Sequence, residues 1–399
     1  MNKMSFDKIV YIFTLGMLTA FGPICTDIYL PALPAITADF QTDASTIQLS
    51  LTSCFLGLAL GQIFVGPLSD TFGRKIPLLV SLVVFVITSA LCATANDVMT
   101  MVFLRFFQGF SGAGGVVLSR SMACDLFSGT ELTKFMALIM TVNSLAPILG
   151  PILGSAVIVF FSWRGIFGAL VIVGLILVLL SVFKIPDTLP KDKREPKVVK
   201  SITGMLKELR NLRFLFITLS MAFIMGGFFS YLAASPFVVQ NIYGFSAVGY
   251  SVIFAVNAVA ITLAAQLAGR LSTRIGDVKV VFLSLAVMFI SSIVMLVIAF
   301  INPQTPVPAL AAILFYVAMI GSSQTAGFGL AMGSRKGGAG AASGIFGVLI
   351  FIFGALFSPL VGIMGEMSMI PLALNMFFAV VFSYILFKLG LKKRLPFKK

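Results

Sequence analysis

Long apolar segments separated by short polar connections run through almost the whole chain. A transmembrane helix needs about 20 consecutive, mostly apolar residues to cross the hydrocarbon core of a bilayer. Twelve windows meet that requirement: 8–33, 46–65, 76–95, 98–121, 135–160, 165–183, 214–234, 247–268, 278–301, 307–332, 339–363 and 370–391. The pattern predicts an all-α integral membrane protein with twelve transmembrane helices. The first window lacks a signal-peptide cleavage pattern, so we expect it to remain as a helix.

The longest polar connection lies between the sixth and seventh windows, from Lys184 to Arg213. Its prolines and dense mixed charge are typical of a linker. We therefore expect two pseudo-symmetric six-helix bundles, residues 1–184 and 214–399, joined by a cytoplasmic linker, residues 185–213. The second part of the linker carries apolar residues at helical spacing: Ile202, Met205, Leu206, Leu209 and Leu212. This spacing fits either a short interfacial helix on anionic lipid headgroups or an ordinary solvated helix.

The two predicted bundles share a short sequence. Gly66-Pro-Leu-Ser-Asp-Thr-Phe-Gly-Arg-Lys75 follows the second window, and Gly269-Arg-Leu-Ser-Thr-Arg-Ile-Gly-Asp277 follows the eighth. Glycine, leucine, serine and glycine recur at matching offsets, although Thr273 replaces the acidic residue in the second copy. Internal repeats of this kind are typical of secondary transporters.

The charge distribution supports the membrane topology. Apolar residues make up 59% of the 399 and charged residues only 11%, and the net charge is +14. With twelve spans, 26 of the 28 basic residues fall at the termini or in connections on one side of the membrane. By the positive-inside rule both termini are cytoplasmic. The basic excess is therefore a topology signal, and no nucleic-acid partner is expected.

The chain contains four cysteines and no histidine. Cys25, Cys54, Cys92 and Cys124 lie in or near apolar windows without metal-ligand spacing, so we expect no metal site and no cofactor. No ATP-binding motif is present, which leaves an ion gradient as the expected energy source.

Two charged residues lie deep inside apolar windows, where charge is expensive and indicates function. Asp27 is the only acidic residue so placed, about 19 residues or 28 Å into the first window. Arg105 is the only basic residue deep in any window, about 12 Å from the predicted periplasmic surface. Because a buried charge without a partner is costly, we expect the two to interact directly or through water. The alternatives are an interfacial carboxylate at a helix end and a purely structural ion pair.

Several motifs resemble the major facilitator superfamily across the whole chain. The segment Gly66–Lys75 matches its cytoplasmic loop motif, and Leu104–Gly109 looks like the fourth-helix motif of its drug:proton antiporters. Ala146–Gly154 resembles the fifth-helix antiporter motif, although Ala146 and Ser155 stand where glycines are usual. The runs Thr26–Pro34 and Arg120–Phe127 resemble the Bcr/CflA group, which includes bicyclomycin and chloramphenicol resistance proteins.

This resemblance, together with the residues themselves, implies roles for four groups of side chains. Asp27 and Arg105 are expected to couple proton movement to drug movement. Gly66, Asp70, Gly73, Arg74 and Asp125 are expected to form a conformational gating loop, with Asp125 or Glu131 as the partner of Arg74. Pro147, Gly150, Pro151 and Gly154 are assigned by the resemblance to close contact between the halves, and generic helix packing is the alternative. Tyr29, Gln108, Asn143, Tyr231 and Asn257 are candidates for the substrate pocket.

The expected function is proton-coupled efflux of small amphipathic or apolar antibiotics by alternating access. The expected partners are drugs, protons and membrane lipids, and the expected functional state is a monomer. The alternative is a proton-coupled importer or facilitator of a small metabolite. A nontransporting receptor would need an extramembrane domain, and no connection is large enough for one. An enzyme is not expected, because no nucleophile–base pair or metal cluster is apparent.

Overall fold

The computed structural model describes residues 6–127, 129–194, 206–336 and 339–392. Within these residues all regular structure is helical, and no strand is present. The α-helices are α1 (Phe6–Asp27), α2 (Leu33–Asp39), α3 (Ala44–Phe72), α4 (Lys75–Ala93), α5 (Val98–Leu126), α6 (Gly129–Phe160), α7 (Arg164–Phe183), α8 (Leu212–Phe237), α9 (Ala247–Ile275), α10 (Asp277–Ile301), α11 (Val307–Ser334), α12 (Ala339–Phe357) and α13 (Ile370–Lys392). Short 3₁₀ turns lie at Leu30–Ala32, Lys191–Lys193 and Ser358–Gly362, and a π turn lies at Val238–Ile242.

Eleven helical segments of the described residues are long and apolar enough to cross a membrane. Helix α6 adds a shorter apolar segment, Leu145–Phe160. The predicted all-α membrane fold is therefore confirmed, and the protein is a multi-pass membrane protein. The count of twelve crossings stays a prediction.

The chain divides into two compact units, Met1–Ala32 with Ser53–Ile202 and Leu33–Thr52 with Thr203–Lys399. In the first unit α4 packs against α5 and α7, and α1 packs against α5 and α6. In the second unit α8 packs against α11, α12 and α13, while α11 packs against α9 and α10. The second unit also contains Leu33–Thr52, which the sequence analysis assigned to the N-terminal bundle. The predicted boundary within residues 185–213 stays a prediction.

The first predicted window contains a break. Helix α1 ends at Asp27, and a 3₁₀ turn at Leu30–Ala32 leads into α2. Pro31 lies in this turn and has no backbone N–H, so the helical hydrogen-bond ladder cannot continue through it. The Ala32 N–H instead donates to the Tyr29 carbonyl at 3.0 Å, the i→i−3 pattern of a 3₁₀ turn. Asp27 is therefore at a helix end and also buried, at 5% exposure.

The repeated glycine motif is mostly helical, which corrects the prediction that Gly66–Lys75 is a loop. Helix α3 continues through Phe72, and the chain turns only at Gly73, whose φ is +89°. The corresponding Gly276 ends α9 with a φ of +85°. Both values lie where residues with a Cβ are disfavoured, so the two copies share a turn that favours glycine.

The predicted amphipathic helix of the linker lies partly outside the described residues. Of its apolar positions, Ile202 and Met205 fall in that part of the chain, and Leu206 is exposed. Glu208 and Asn211 are buried. The Asn211 side-chain amide donates to the Ser334 carbonyl at 2.6 Å, and Glu208 accepts from the Lys336 N–H at 3.3 Å. These two residues tie the segment just before α8 to the end of α11.

Candidate functional site

Asp27 lies where α1 meets α6. The Thr26 hydroxyl donates to Asp27 Oδ1 at 3.1 Å. Gly150 of α6 lies against the base of this side chain, because a Cβ on Gly150 would lie 3.0 Å from the Asp27 Cβ. Among the residues that the structure describes, no basic side chain forms an ion pair with Asp27. The carboxyl group is therefore buried against a glycine face with one hydroxyl donor.

Arg105 is fully buried in α5, at 0% exposure. Its Nη1 donates to the Cys25 carbonyl at 3.1 Å and to Gln108 Oε1. The guanidinium lies 4.8 Å from the centre of the Tyr29 ring, within cation–π range. Its Nε and Nη2 have no hydrogen-bond partner among the described residues. Arg105 thus fixes the end of α1 and keeps two buried donor nitrogens.

Gln108 continues this polar cluster towards α4. Its Nε2 donates to the Ser89 hydroxyl at 2.7 Å, while its Oε1 accepts from Arg105. Gly109, the next residue on α5, touches α3 so closely that a Cβ there would collide with the Cys54 carbonyl. The predicted face of Arg105, Gln108, Gly109 and Gly112 is buried, as its spacing implied.

Of the two expected forms of the Asp27–Arg105 interaction, direct or through water, the direct one is absent among the described residues. Arg105 reaches the backbone carbonyl of Cys25, whereas the Asp27 side chain meets α6. Side chains two residues apart on a helix point about 200° apart around its axis. The sequence gives the depth of each charge but not the neighbour that each one faces. The two groups are instead linked through the last turn of α1.

The face of α6 with Gly150 and Gly154 lies against α1. A Cβ on Gly154 would collide with the Ile28 carbonyl, and Gly150 touches Asp27. Pro147 and Pro151 lie in the same helix. The predicted role of this face in contact between the halves stays a prediction. Within the first unit, both glycines allow the close approach that the end of α1 requires.

Arg74 is the centre of a charge cluster at the α3–α4 corner. Its Nη1 donates to Asp70 at 2.5 Å and to the Ser69 hydroxyl at 2.7 Å, and its Nε donates to Asp125 at 3.0 Å. Burial alone would lower the pKa of Arg74, but the hydrogen bonds and charges of Asp125 and Asp70 raise it. The predicted Arg74–Asp125 contact is present, and Gly66 lies one turn before Asp70 on α3. The gating role of these residues stays a prediction.

Sequence reasoning missed the residues that extend this cluster. The Arg74 N–H donates to Asp187 at 2.8 Å, and the Thr188 hydroxyl donates to Asp125 at 2.8 Å. Asp187 also pairs with Arg194 at 2.8 Å. The first part of the predicted linker is therefore docked on the corner. The only sequence signal was one acidic residue between two prolines, Pro186 and Pro190.

The substrate-pocket candidates fall into two groups. Tyr29 and Gln108 belong to the Arg105 cluster. Tyr231 of α8 and Asn257 of α9 meet in the second unit, where the Asn257 amide donates to the Tyr231 hydroxyl at 2.9 Å. The side chain of Asn143 lies outside the described residues.

A further polar group in the second unit was not predicted. The Asn375 amide donates to the Ser230 hydroxyl at 3.1 Å. Gln48 donates to the Ala233 carbonyl at 3.2 Å, and its buried amide oxygen has no partner among the described residues. Gln48 was missed because a single glutamine near the start of a long apolar window has no distinctive pattern.

A multi-pass helical protein with buried charged and polar clusters inside its spans has the features of a membrane transporter. The Major Facilitator Superfamily profile matches residues 15–359. The chain therefore belongs to the Major Facilitator Superfamily, a family of transporters and not of enzymes.

Bacterial relatives match along most of their length. The uncharacterized MFS-type transporter YdgK of Bacillus subtilis (strain 168) is 37% identical over 98% of each chain. The bicyclomycin resistance protein homolog of Haemophilus influenzae is 32% identical over 96% of this chain and 98% of that one. The multidrug resistance protein MdtL of Salmonella heidelberg is 26% identical over 87% and 86%. These names agree with the Bcr/CflA-like resemblance drawn from the motifs.

Two solved structures support the fold. A bacterial homologue of the human lysosomal transporter Spinster, inward-facing and unoccupied, gives a TM-score of 0.75 at 14% identity and covers 99% of this chain and 100% of that one. The xylose transporter XylE from E. coli, partially occluded and inward-open, gives 0.71 at 16% identity over 94% and 97%. At these identities the likeness concerns the fold alone.

Proposed function

We propose that this protein is a drug:proton antiporter of the bacterial inner membrane. In this proposal the chain crosses the membrane twelve times in two six-helix bundles, with both termini in the cytoplasm. It works by alternating access and exports small amphipathic or apolar antibiotics of the bicyclomycin or chloramphenicol type. The names of the Haemophilus and Salmonella relatives support the substrate class.

The burial of Asp27 is the observation that carries the proton coupling. A carboxylate in an apolar span needs water or a cation, and among the described residues only the Thr26 hydroxyl donates to Asp27. The balance between the charged and the neutral form of Asp27 therefore depends on the access of water to the carboxyl group. A proton entering from the periplasm neutralises Asp27 and releases drug, and loss of that proton towards the cytoplasm restores drug affinity.

Arg105 has a different role from a direct counter-ion. It bonds to the Cys25 carbonyl, two residues before Asp27, and its guanidinium lies over Tyr29. A change at Asp27 therefore reaches Arg105 through the last turn of α1. The free Nε and Nη2 donors of Arg105 suit a carbonyl or hydroxyl group of a bound drug.

The corner around Arg74 is proposed to control the conformational change. Its bonds to Asp70 and Asp125 join the α3–α4 corner to the end of α5, and Asp187 adds the start of the linker. Breaking and remaking these charge-assisted bonds gives two arrangements of the same elements. The proton gradient supplies the energy without a cofactor. The protein is proposed to act as a monomer surrounded by membrane lipids.

Transport in purified proteoliposomes tests this function. Bicyclomycin or chloramphenicol is supplied on the cytoplasmic side of the protein, and a pH gradient is imposed across the membrane. Wild-type protein should then move drug and protons in opposite directions. Asp27→Asn should bind drug but lose drug-driven proton movement. Asp192→Asn is the matched control, because it removes an exposed carboxylate from the short turn Lys191–Lys193.

Two outcomes would contradict the proposal. Normal coupling in Asp27→Asn would remove Asp27 from the mechanism. Drug entry in the same direction as protons would identify an importer instead. A pump-deficient bacterial strain expressing the protein should also gain resistance to these drugs, and the Asp27→Asn strain should not.

A further inference from the structure

An apolar groove lies between α10 and α13 of the second unit. It has a cavity volume of about 420 Å³. Its lining is aromatic and aliphatic throughout: Phe282, Leu285, Ala286, Phe289, Phe377, Val380, Val381 and Tyr384. None of these residues belongs to the candidate transport site.

Two aromatic pairs mark the length of the groove. The rings of Phe282 and Tyr384 lie 5.9 Å apart, and those of Phe289 and Phe377 lie 5.7 Å apart. On each helix the two residues are seven positions apart, which corresponds to about 10 Å along the axis. The order of the pairs is reversed between the helices, so α10 and α13 run antiparallel. The groove thus follows the helix axes and is bounded at both ends by rings.

The depth of the groove comes from small and branched residues between the pairs. Leu285 and Val380 are buried and form the floor, whereas Phe289 and Tyr384 are 39% and 40% exposed and form the walls. Ala286 between the walls is exposed and presents only a methyl group. A surface with so little polar character inside two spans is suited to a hydrocarbon chain.

Two lysines lie at one end of the groove. The Lys388 ammonium lies 4.7 Å from the centre of the Tyr384 ring, directly beside the groove wall. Lys279 precedes Phe282 by three residues and so lies one turn away on the same face of α10. Both are exposed, and neither forms an ion pair within the described residues. Asp277 points instead towards Gly329 of α11.

We propose that this groove binds one anionic phospholipid, with an acyl chain between α10 and α13 and its phosphate held by Lys279 and Lys388. The charge pattern selects the occupant, because an apolar channel that ends at two unpaired ammonium groups complements a lipid with a negative headgroup. Basic side chains near a membrane surface attract anionic lipids. The positive-inside pattern places both lysines on the cytoplasmic side, which fits a lipid of the inner leaflet. The site is independent of the proposed transport function.

Native mass spectrometry of the full-length protein in detergent tests the site. The probes are phosphatidylglycerol and phosphatidylethanolamine with identical acyl chains, added in equal amounts. Wild-type protein should retain one phosphatidylglycerol in preference to phosphatidylethanolamine. Lys279→Gln and Lys388→Gln should each reduce that preference about fivefold. Ala286→Phe should fill the groove and reduce retention of phosphatidylglycerol although both lysines remain.

Matched controls separate a specific site from general lipid contact. Arg274→Gln removes an exposed charge from the end of α9, and Val297→Phe adds a ring on α10 outside the groove. Both should bind phosphatidylglycerol like wild type. Equal retention of the two lipids, or equal losses in the controls, would overturn the proposal. Unchanged binding in Ala286→Phe would exclude the groove, and a second protein chain in place of lipid would identify a dimer surface. Each variant is compared only if its thermal transition matches that of the wild type. If one single-lysine variant fails this check, the other still tests the lysine site.

Discussion

Two glycines of α6 determine how closely the end of α1 can pack. A Cβ on Gly154 would overlap the Ile28 carbonyl, and one on Gly150 would press on Asp27. Backbone cannot move aside as a flexible side chain can. Close packing of α1 and α6 therefore depends most strongly on Gly154, and the position of the Asp27 carboxyl group depends on both glycines.

We expect Gly154→Ala to destabilise the protein by about 1–3 kcal/mol, as overpacking of a filled interior does. The apparent Tm of the detergent-solubilised protein measures this. Gly168→Ala is the control, because its Cβ would meet nothing within 4 Å in the second turn of α7. That change should be neutral or stabilising by up to about 1 kcal/mol, since alanine has the higher helix propensity. Equal Tm values for the two variants would contradict the close contact.

Glu366 provides a pH-dependent contribution to stability outside the spans. Partial burial raises its pKa, the Asn241 hydrogen bond at 2.6 Å opposes that effect, and the charge of Asp43 adds to it. The folded protein therefore holds this proton more tightly than the unfolded chain does. The stabilisation is complete below the ordinary glutamate pKa of about 4.3 and is lost as pH rises above it.

Glu366→Gln should remove this dependence. The Tm of wild type relative to Glu366→Gln should fall as the pH is raised from about 4 to about 6. Asp43→Asn should make the fall smaller, because it removes the neighbouring negative charge while an amide oxygen can still accept from the Thr46 N–H. A wild-type Tm that rises relative to Glu366→Gln over this range would reverse the assigned sign.

At the scale of elements, the turns at Gly73 and Gly276, which end the two copies of the repeat, differ in the side chains that pack against them. Gly73 and Gly276 have nearly the same φ, +89° and +85°. A Cβ on Gly73 would collide with the side chains of Asp187 and Arg194, whereas a Cβ on Gly276 would meet nothing within 4 Å. The first corner thus carries the docked start of the linker in addition to the turn.

Alanine substitutions at these two glycines separate the cost of backbone strain from the effect on docking of the linker. Gly73→Ala and Gly276→Ala should each cost about 1–3 kcal/mol, because both residues have a positive φ that is strained for a residue with a Cβ. Only Gly73→Ala should also release residues 187–194, so trypsin should cleave after Lys191 and Arg194 faster in that variant. Asp187→Ala should increase the same cleavage without altering the turn. Identical cleavage in Gly73→Ala and Gly276→Ala would show that docking does not depend on the corner.

The sequence predicted elements better than contacts. Each of the twelve windows lies on helical structure because a bilayer leaves helices as the only backbone solution for single spans. The windows stopped short at Gly66–Phe72 and Gly269–Ile275, where α3 and α9 continue into polar sequence that hydrophobicity does not mark. Proline chemistry made a helix end near Pro31 plausible, but the sequence did not decide whether the first helix continues past that residue.

The candidate site was predicted unevenly for a physical reason. Asp125 was one of the two partners expected for Arg74, the other being Glu131, because a motif and these acidic residues lay at adjoining helix ends. Asp187 was missed because its partners depend on how an irregular segment folds back, which has no periodicity. The Asp27–Arg105 contact was expected from depth alone, whereas contacts also depend on the direction in which each side chain points around its helix.

At the scale of the whole molecule, the proposed topology can be tested with the native cysteines. Cys25, Cys54 and Cys92 are buried, and Cys124 is exposed at the end of α5 beside the Arg74 cluster. The positive-inside pattern places that end in the cytoplasm. The opposite end of α5 begins after Asp97, whose side chain caps the helix by accepting from the Thr100 N–H at 2.8 Å.

A membrane-impermeant maleimide should therefore label the wild-type protein at Cys124 in inside-out vesicles and leave it unlabelled in intact spheroplasts. In a Cys124→Ser background, Asp97→Cys should give the reverse result, because about 27 residues of helix separate the two positions and the bilayer core is about 30 Å thick. Cys124→Ser alone should label in neither preparation, which checks that the other three thiols are buried. Labelling of Cys124 from outside would show that the topology is inverted. The Arg74 corner and the lysines of the lipid groove would then lie on the periplasmic face.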